Sequence, residues 1–172
     1  GSDAGGSIRV PSALCGVVGM KATWELVPSY PSAVNPSISC LGPITRTVAD
    51  AALLLTVMCE PDWRDWQAMR YDGTDYGAAL GGGVKGMRIA FSPTFRFAER
   101  VDSEVAALVA AAASAFTDLG ATVEEADPGF DDPIDILLTC IFPNVARRFR
   151  DATPEQLETV NANIRQAIER GK

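Results

Sequence analysis

Apolar residues recur at helical spacing in two stretches, residues 48–59 and 103–119, which predicts two amphipathic helices. Thr47, with Asp50 three positions later, is typical of the N-cap of the first helix, and Gly120 is expected to end the second. The face of the first helix that we expect in the core consists of Ala51, Leu54, Leu55 and Met58.

A short apolar run lies on each side of the second helix. Residues 87–91, between Gly86 and Pro93, predict a buried strand, and residues 121–125 predict another. A strand, a helix and a strand in this order form a β-α-β unit, whose strands are parallel. The pattern therefore favours an α/β fold, in which helices cover a sheet.

The last third of the chain also has helical spacing, with less apolar character. Residues 134–142 predict a helix that bends or ends near Pro143. A last helix is expected to begin at Thr153 and Pro154 and to end at Gly171. Its single apolar stripe consists of Leu157, Val160, Ile164 and Ile168. Such a stripe needs a neighbour, either another copy of the chain or the rest of a longer polypeptide.

Two stretches lack any periodicity. Prolines interrupt residues 27–39, which predicts a loop, and residues 61–83 are polar and rich in aromatic residues and glycine. We interpret the second stretch as a surface excursion with one short helix. Its aromatic side chains either form a patch for a substrate or partner or pack onto the domain surface. They are Trp63, Trp66, Tyr71 and Tyr76.

Composition and charge narrow the function classes. The 172 residues, of which 47% are hydrophobic, suffice for one ordinary domain with a sizeable core. No apolar run approaches the roughly 18 to 20 residues of a membrane span. The net charge of −7 argues against nucleic acid and anionic membranes as partners, because both require clustered positive charge.

The cysteines give no sign of a metal site. Their spacing contains no close pair and the chain has no histidine, so we expect neither a metal nor another cofactor. Cys15 lies in an apolar run and Cys59 ends an apolar helix pattern, which predicts buried free thiols. Free thiols favour a reducing, cytoplasmic setting.

The first residues, GSDAGGSIRVP, place Ser7 in a glycine-rich loop, which we expect to be a tight turn before a short helix. Gly5 and Gly6 let the main chain approach a substrate carbonyl and adopt φ values that other residues avoid. Backbone amides of such a loop can bind an oxyanion, so the pattern predicts acyl transfer to Ser7. A Ser-His-Asp triad is excluded within this chain, because it has no histidine.

The run GSDAGGSIRVPSALCGVVGMKAT resembles the amidase signature family, whose pattern is a GS(D/E)xGGSIRxP loop followed by CGxxGxKPT. The segment LGPITRTVADAALLL, residues 41–55, matches the family's next segment, and VKGMRIAFSP, residues 84–93, also fits. The resemblance implies the family fold, a large mixed β-sheet flanked by helices, of which only a part is present. It also implies hydrolysis of a linear carbon-nitrogen bond in an amide.

The resemblance further implies roles for individual residues. The family's acyl-enzyme nucleophile is the serine after two glycines, here Ser7. A second serine, in a cis peptide, and a lysine complete the family's triad, and both are expected before Gly1. Of the lysines present, Lys21 is more easily explained as a strand-end cation than as a general base. The backbone amides implied to form the oxyanion hole are those of Ala4, Gly5, Gly6 and Ser7.

Three further residues of the loop are expected to support its shape. Asp3 and Arg9 are predicted to form an ion pair that brackets the loop. Ser2 either hydrogen-bonds into the loop or caps a turn.

We interpret the chain as the central segment of one amidase domain. Residues 1–60 hold the signature loop and the following helix, residues 61–83 the excursion, and residues 84–172 the β-α-β unit and the C-terminal helices. The isolated segment is expected to be inactive, because it lacks the catalytic lysine and the second serine. Its expected partners are a small-molecule amide and either another copy or the rest of the amidase chain.

Two alternative functions stay open at this point. One is the glutamine-hydrolysing subunit of a tRNA-dependent amidotransferase, and the other is a non-catalytic interaction segment on an amidase-like scaffold. Residues 35–43, NPSISCLGP, lack the Ser-Ser-Leu-Asp run that is usual in the amidotransferase subunit, which favours a stand-alone amidase.

Overall fold

The computed structural model describes residues 1–33, 35–98 and 100–172, which form six helices and six short strands. The helices are α1 (Arg9–Cys15), α2 (Val48–Met58), α3 (Ser103–Asp118), α4 (Ile134–Arg148), α5 (Pro154–Glu158) and α6 (Ala162–Arg170). The strands are β1 (Ser2–Asp3), β2 (Val18–Gly19), β3 (Cys40–Leu41), β4 (Ile44–Thr45), β5 (Arg88–Phe91) and β6 (Thr122–Glu125). A short 3-10 helix, the one expected in the excursion, covers Ala78–Gly81.

The strands pair in both senses. β1 pairs antiparallel with β3, so that Ser2 lies opposite Leu41 and Asp3 opposite Cys40. β2 pairs antiparallel with β4, and β5 pairs parallel with β6. The predicted class, helices with a mixed β-sheet, is confirmed, although the described strands form three two-stranded sheets.

The residues divide into two compact units, residues 1–80 with 135–172 and residues 81–134. The first unit contains a small core of four buried residues, Ala22, Val27, Leu55 and Cys59. Partly buried Leu26, Leu41, Met58 and Tyr76 pack against this core.

Helix α2 begins where the sequence predicts. The Thr47 side chain accepts a hydrogen bond from the Asp50 N–H at 3.1 Å, which satisfies one of the free donors of the first turn. Ala51 and Leu55 are buried as expected, but Leu54 is 40% exposed. Successive residues of a helix are rotated by about 100° around its axis, so Leu54 and Leu55 point in different directions. Leu55 points into the core, and Leu54 does not.

The second unit is the predicted β-α-β arrangement. Asp102 caps α3, where its Oδ1 accepts from the Glu104 N–H at 2.9 Å and from the Val105 N–H at 3.3 Å. The sequence predicts a buried β5, but Arg88 and Ala90 are exposed and the two other residues of the strand are half-buried. Successive side chains of a strand point to opposite faces, and within the described residues one face of β5 is uncovered.

The C-terminal helices agree with the prediction in part. Helix α4 continues through Pro143, which has no N–H to donate, and the next side chain, Asn144 Nδ2, donates to the Cys140 carbonyl at 2.9 Å. The expected last helix is divided into α5 and α6. The Asn161 side chain accepts from the Asn163 N–H at 2.8 Å and starts a new helix there, because asparagine is a strong N-cap residue.

All four cysteines are free thiols. Cys40 and Cys59 are buried, whereas Cys15 is exposed at the end of α1, so the apolar run around it does not place it in the core. Among the residues described, no helix combines the length and the apolar character that crossing a membrane requires.

Candidate active site

Ser7 lies exposed on the turn between β1 and α1, in the local structure that the sequence predicts. The preceding Gly6 is buried and has φ of +123°, a value that residues with a Cβ rarely adopt. A Cβ on Gly6 would also lie 3.1 Å from Val10 Cγ2. A glycine is therefore needed directly before Ser7 for this turn to form.

The turn closes around the carboxylate of Asp3, whose side chain is fully buried. The Gly6 N–H donates to Oδ1 at 2.6 Å, and the N–H groups of Ile8 and Arg9 donate to Oδ2 at 3.2 and 3.4 Å. The Arg9 guanidinium donates through Nε to Oδ2 and through Nη2 to Oδ1, each at 2.9 Å. Five donors thus hold one carboxylate, and the predicted ion pair between Asp3 and Arg9 is present.

These contacts determine the charge state of the pair. The Arg9 guanidinium lowers the pKa of Asp3 far below its usual range, and the backbone donors add to this effect against the opposing effect of burial. The Asp3 carboxylate in turn raises the pKa of Arg9. Both groups are therefore charged at neutral pH, and the loop is held by a charge-assisted pair.

Three of the four amides implied to form an oxyanion hole are open. The N–H groups of Ala4, Gly5 and Ser7 have no acceptor in the described part of the chain. The Gly6 N–H instead donates to Asp3, so it is not an open donor as we expected. Because Asp3 needs this donor to close the turn, Gly6 contributes to the shape of the loop in this structure.

Ser2 and Lys21 lie in different surroundings. Ser2 is exposed, opposite Leu41 on the paired strand. Lys21 Nζ donates to the Ala22 carbonyl at 3.0 Å and to Cys40 Sγ at 3.2 Å. The ammonium group of Lys21 is therefore occupied in structural contacts, in agreement with its interpretation as a strand-end cation.

Ser12 and Gly19 pack against each other next to the turn. The sequence pattern did not predict this contact. Ser12 is the buried residue of α1, and its hydroxyl lies against the Cα of Gly19 on β2. A Cβ on Gly19 would lie 2.6 Å from Ser12 Cβ, so only glycine fits there. The glycines of the GVVG run were the one available signal.

A cavity of about 460 Å³ lies on the residues that follow the signature run and on the excursion. Its walls include Trp24, Tyr30, Ser39, Leu41, Arg64 and Trp66. The sequence singled out only Trp66 of these. The excursion's remaining aromatic residues behave differently from one another: Trp63 is 91% exposed, whereas Tyr76 packs against the core.

Among the described residues, no group of three or more histidine, cysteine or acidic side chains is arranged to hold a metal ion.

Known proteins resemble the chain over most of its length. It is 46% identical over 134 residues to an acylamidase from Rhodococcus erythropolis, an alignment that covers 77% of this chain and 28% of that protein. It is 42% identical over 126 residues to a glutamyl-tRNA(Gln) amidotransferase subunit from Salinibacter ruber, covering 73% of this chain and 24% of that one. The chain therefore spans about a quarter of the length of these relatives.

The fold agrees with these similarities. The crystal structure of a bacterial aryl acylamidase of the amidase signature family superposes with a TM-score of 0.86 and 33% identity. The superposition covers 99% of this chain and 37% of that one. A model of the Amidase family matches residues 1–169, and the chain therefore belongs to the amidase signature family.

Proposed function

We propose that the full-length protein containing this segment hydrolyses a linear amide, other than a peptide bond, with Ser7 as the nucleophile. The observation that supports this most is the exposed Ser7 hydroxyl on a turn whose neighbouring N–H groups, those of Ala4 and Gly5, have no acceptor among the described residues. A hydroxyl and open amides within one turn are what acyl transfer requires.

The reaction proceeds through an acyl-serine. Ser7 Oγ gives its proton to a base and attacks the amide carbon, and the carbonyl oxygen becomes an oxyanion. The carbon-nitrogen bond then breaks, and the nitrogen takes up a proton and leaves as the amine. Water attacks the resulting ester, which releases the carboxylic acid and returns the proton to Ser7.

The open amides of Ala4, Gly5 and Ser7 stabilise the oxyanion. In serine hydrolases, the loss of one such donor costs about 3 to 4 kcal/mol of transition-state stabilisation. Asp3 and Arg9 act as positioning residues, because their ion pair closes the turn that aims these amides.

The base comes from outside the 172 residues. The sequence contains no histidine, and Lys21 Nζ is already bonded to the Ala22 carbonyl and Cys40 Sγ. By resemblance to the family, a lysine and a second serine take the proton from Ser7. The isolated segment is accordingly inactive in our proposal.

The test is the Ser7→Ala variant of the full-length protein. Hydrolysis of a small acyl amide should fall by at least about 1,000-fold, because no other residue of the turn can form the acyl intermediate. Labelling by a serine-directed fluorophosphonate should also be lost. Ser114, an exposed serine of α3, provides the matched control, and Ser114→Ala should keep both activity and labelling. Turnover that survives Ser7→Ala contradicts the proposal, as does Ser7-dependent turnover by the isolated segment.

A second candidate function rests on the similarity to the amidotransferase subunit. In this case the full-length protein releases ammonia from glutamine, and the same Ser7 forms the acyl intermediate. The measurement that separates the two is ammonia release from glutamine, with and without candidate partner proteins. Glutamine hydrolysis that a partner stimulates, together with no turnover of simple acyl amides, favours the second candidate.

A further inference from the structure

Lys21 and Cys40, two residues that the proposed reaction does not use, are in contact through their side chains. Lys21 Nζ donates to Cys40 Sγ at 3.2 Å and to the Ala22 carbonyl at 3.0 Å. Lys21 comes shortly after β2, and Cys40 begins β3. The Met20 N–H donates to the Pro43 carbonyl at 3.1 Å, which holds the chain before Lys21 against the connection between β3 and β4. The contact between nitrogen and sulfur is therefore part of the strand arrangement of the first unit.

Cys40 is buried and lies close to two cations. It is 4% exposed, and it lies opposite Asp3 in the pairing of β1 with β3. The Asp3 carboxylate is the main cause of the raised pKa of Arg9, and the charge of Cys40 contributes to the same shift. The Arg9 guanidinium thus interacts electrostatically with the sulfur that Lys21 contacts. Neighbouring positive charges favour the thiolate, which is the form of cysteine that peroxides oxidise.

The Lys21 amine is the nucleophile that the described residues place within hydrogen-bond distance of Cys40 Sγ. The Ile38 carbonyl, 4.0 Å from the sulfur, is a weaker polar contact and does not displace water from a sulfenic acid. All four cysteines are free thiols, so no described cysteine is already joined to Cys40. An oxidised sulfur held against an amine reacts with it in preference to nucleophiles that must diffuse in, because contact corresponds to a high effective concentration.

We propose that Lys21 and Cys40 form a modification site, at which hydrogen peroxide joins Lys21 Nζ to Cys40 Sγ in a reversible sulfenamide bond. The thiolate sulfur takes one oxygen of the peroxide, the O–O bond breaks, and a sulfenic acid and hydroxide form. The hydroxide takes a proton from the Lys21 ammonium and becomes water. The neutral amine then attacks the sulfur, the S–O bond breaks, and the oxygen leaves as a second water with one proton of the amine.

The atoms and electrons of this sequence balance. One thiolate, one ammonium and one hydrogen peroxide give one sulfenamide and two waters, and the sulfur loses the two electrons that the peroxide gains. A dithiol reductant reverses the bond by attack on the sulfur, which returns the thiol and the amine and leaves the reductant as a disulfide.

The experiment treats the folded full-length protein with hydrogen peroxide, blocks the remaining thiols and maps peptides by mass spectrometry without reductant. Wild type should yield two peptides joined through Lys21 and Cys40, with a mass about 2 Da below their sum, because the reaction removes two hydrogens. Dithiothreitol added before the digestion should return both peptides at their ordinary masses. Cys40→Ser should remove the joined pair.

Lys21→Arg tests whether the amine is the group that captures the oxidised sulfur. The guanidinium keeps a positive charge beside Cys40 but does not give up its proton, so oxidation should stop at the sulfenic acid. Dimedone, which traps sulfenic acids, should label Cys40 at least about fivefold more in Lys21→Arg than in wild type. The matched control is Lys85→Arg, since Lys85 belongs to the second unit. It should keep the joined peptides and the low labelling of wild type.

Three results would overturn the inference: no joined peptides in peroxide-treated wild type, equal dimedone labelling of Cys40 in wild type and Lys21→Arg, or a joined pair heavier than the sum of its peptides. The last result would place an oxygen between the nitrogen and the sulfur. Each readout is a mass or a labelling yield, so the test does not depend on the identity of the nucleophile in amide hydrolysis.

Discussion

The signature loop and the end of the β5–β6 pair each contain an aspartate bonded to an arginine, but only the first aspartate is buried. Asp3 is fully buried and accepts from five donors, whereas Asp127 is 27% exposed and accepts from the Ser92 hydroxyl and from Arg96 Nε at 3.0 Å. The pKa of each carboxyl is lowered, chiefly by Arg9 for Asp3 and by Ser92 for Asp127.

This difference shows why similar ion pairs have different consequences. Three of the donors to Asp3 are backbone N–H groups of the turn, so the carboxylate determines the path of the main chain around Ser7. The donors to Asp127 are the side chains of residues that solvent also reaches. An exposed pair contributes about 0 to 1 kcal/mol, whereas a buried acceptor that loses its charge leaves several donors poorly satisfied.

The largest expected effect is that of Asp3→Asn in the full-length protein. The amide keeps the size of the side chain but loses the charge, so we expect a loss on the order of 2 to 3 kcal/mol in the free energy of unfolding. We also expect kcat/KM for an acyl amide to fall by about 100-fold, because a displacement of about 1 Å at Ser7, the proposed nucleophile, suffices for such a loss. Urea unfolding and steady-state kinetics measure the two effects.

Asp127→Asn is the matched control for this change. It should leave the free energy of unfolding nearly unchanged and kcat/KM within about twofold of wild type, because an exposed ion pair contributes little. Equal effects of the two substitutions would show that burial does not distinguish the two pairs.

A smaller effect is expected from adding one methyl group below the turn. Gly19→Ala should destabilise the protein by about 1 to 3 kcal/mol, since the new Cβ would overlap Ser12. Gly5→Ala places a Cβ where no atom lies within 4 Å, so it should change the free energy of unfolding by less than about 0.5 kcal/mol. Urea midpoints of the two variants test this prediction, and a destabilised Gly5→Ala would show that the turn has no room for a methyl group at this position.

The smallest expected effect is a pH dependence. Because the folded pKa of Asp3 is below the unfolded value of about 3.9, the unfolded state binds more protons as the pH falls through this range. The stability that Asp3 contributes is thus fully present above about pH 4 and is lost as the pH falls towards the folded pKa. Urea unfolding between about pH 5 and pH 3 measures how steeply the free energy of unfolding falls with pH. Asp3→Asn should reduce this slope relative to wild type, and by more than Asp127→Asn does. Identical slopes in wild type and Asp3→Asn would contradict the lowered pKa of Asp3 in the folded state.

Much of the local structure could be predicted from particular residues. Thr47 marks the start of α2 because its side chain accepts a hydrogen bond from the N–H of Asp50, three positions later. The prediction of the last helix failed because one residue competed with a periodic pattern. Asn161 starts a new helix inside an apolar stripe.

The candidate site was predictable in part, for the same reason. Ser7 and the Asp3–Arg9 pair lie within nine residues of sequence, and their contacts are local. The engagement of the Gly6 N–H by Asp3 required the geometry of the turn. The cavity required more, because Trp24, Leu41 and Trp66 meet only after strand pairing and packing of the excursion.

The sequence by itself determined the family, the turn that holds Ser7 and the β-α-β order of the second unit, because each depends on residues that are neighbours along the chain. Tertiary structure alone decided which amides of the turn remain open, which apolar side chains are buried and which aromatic rings line the cavity. These properties depend on contacts between residues distant in sequence, and a linear pattern does not specify those distances.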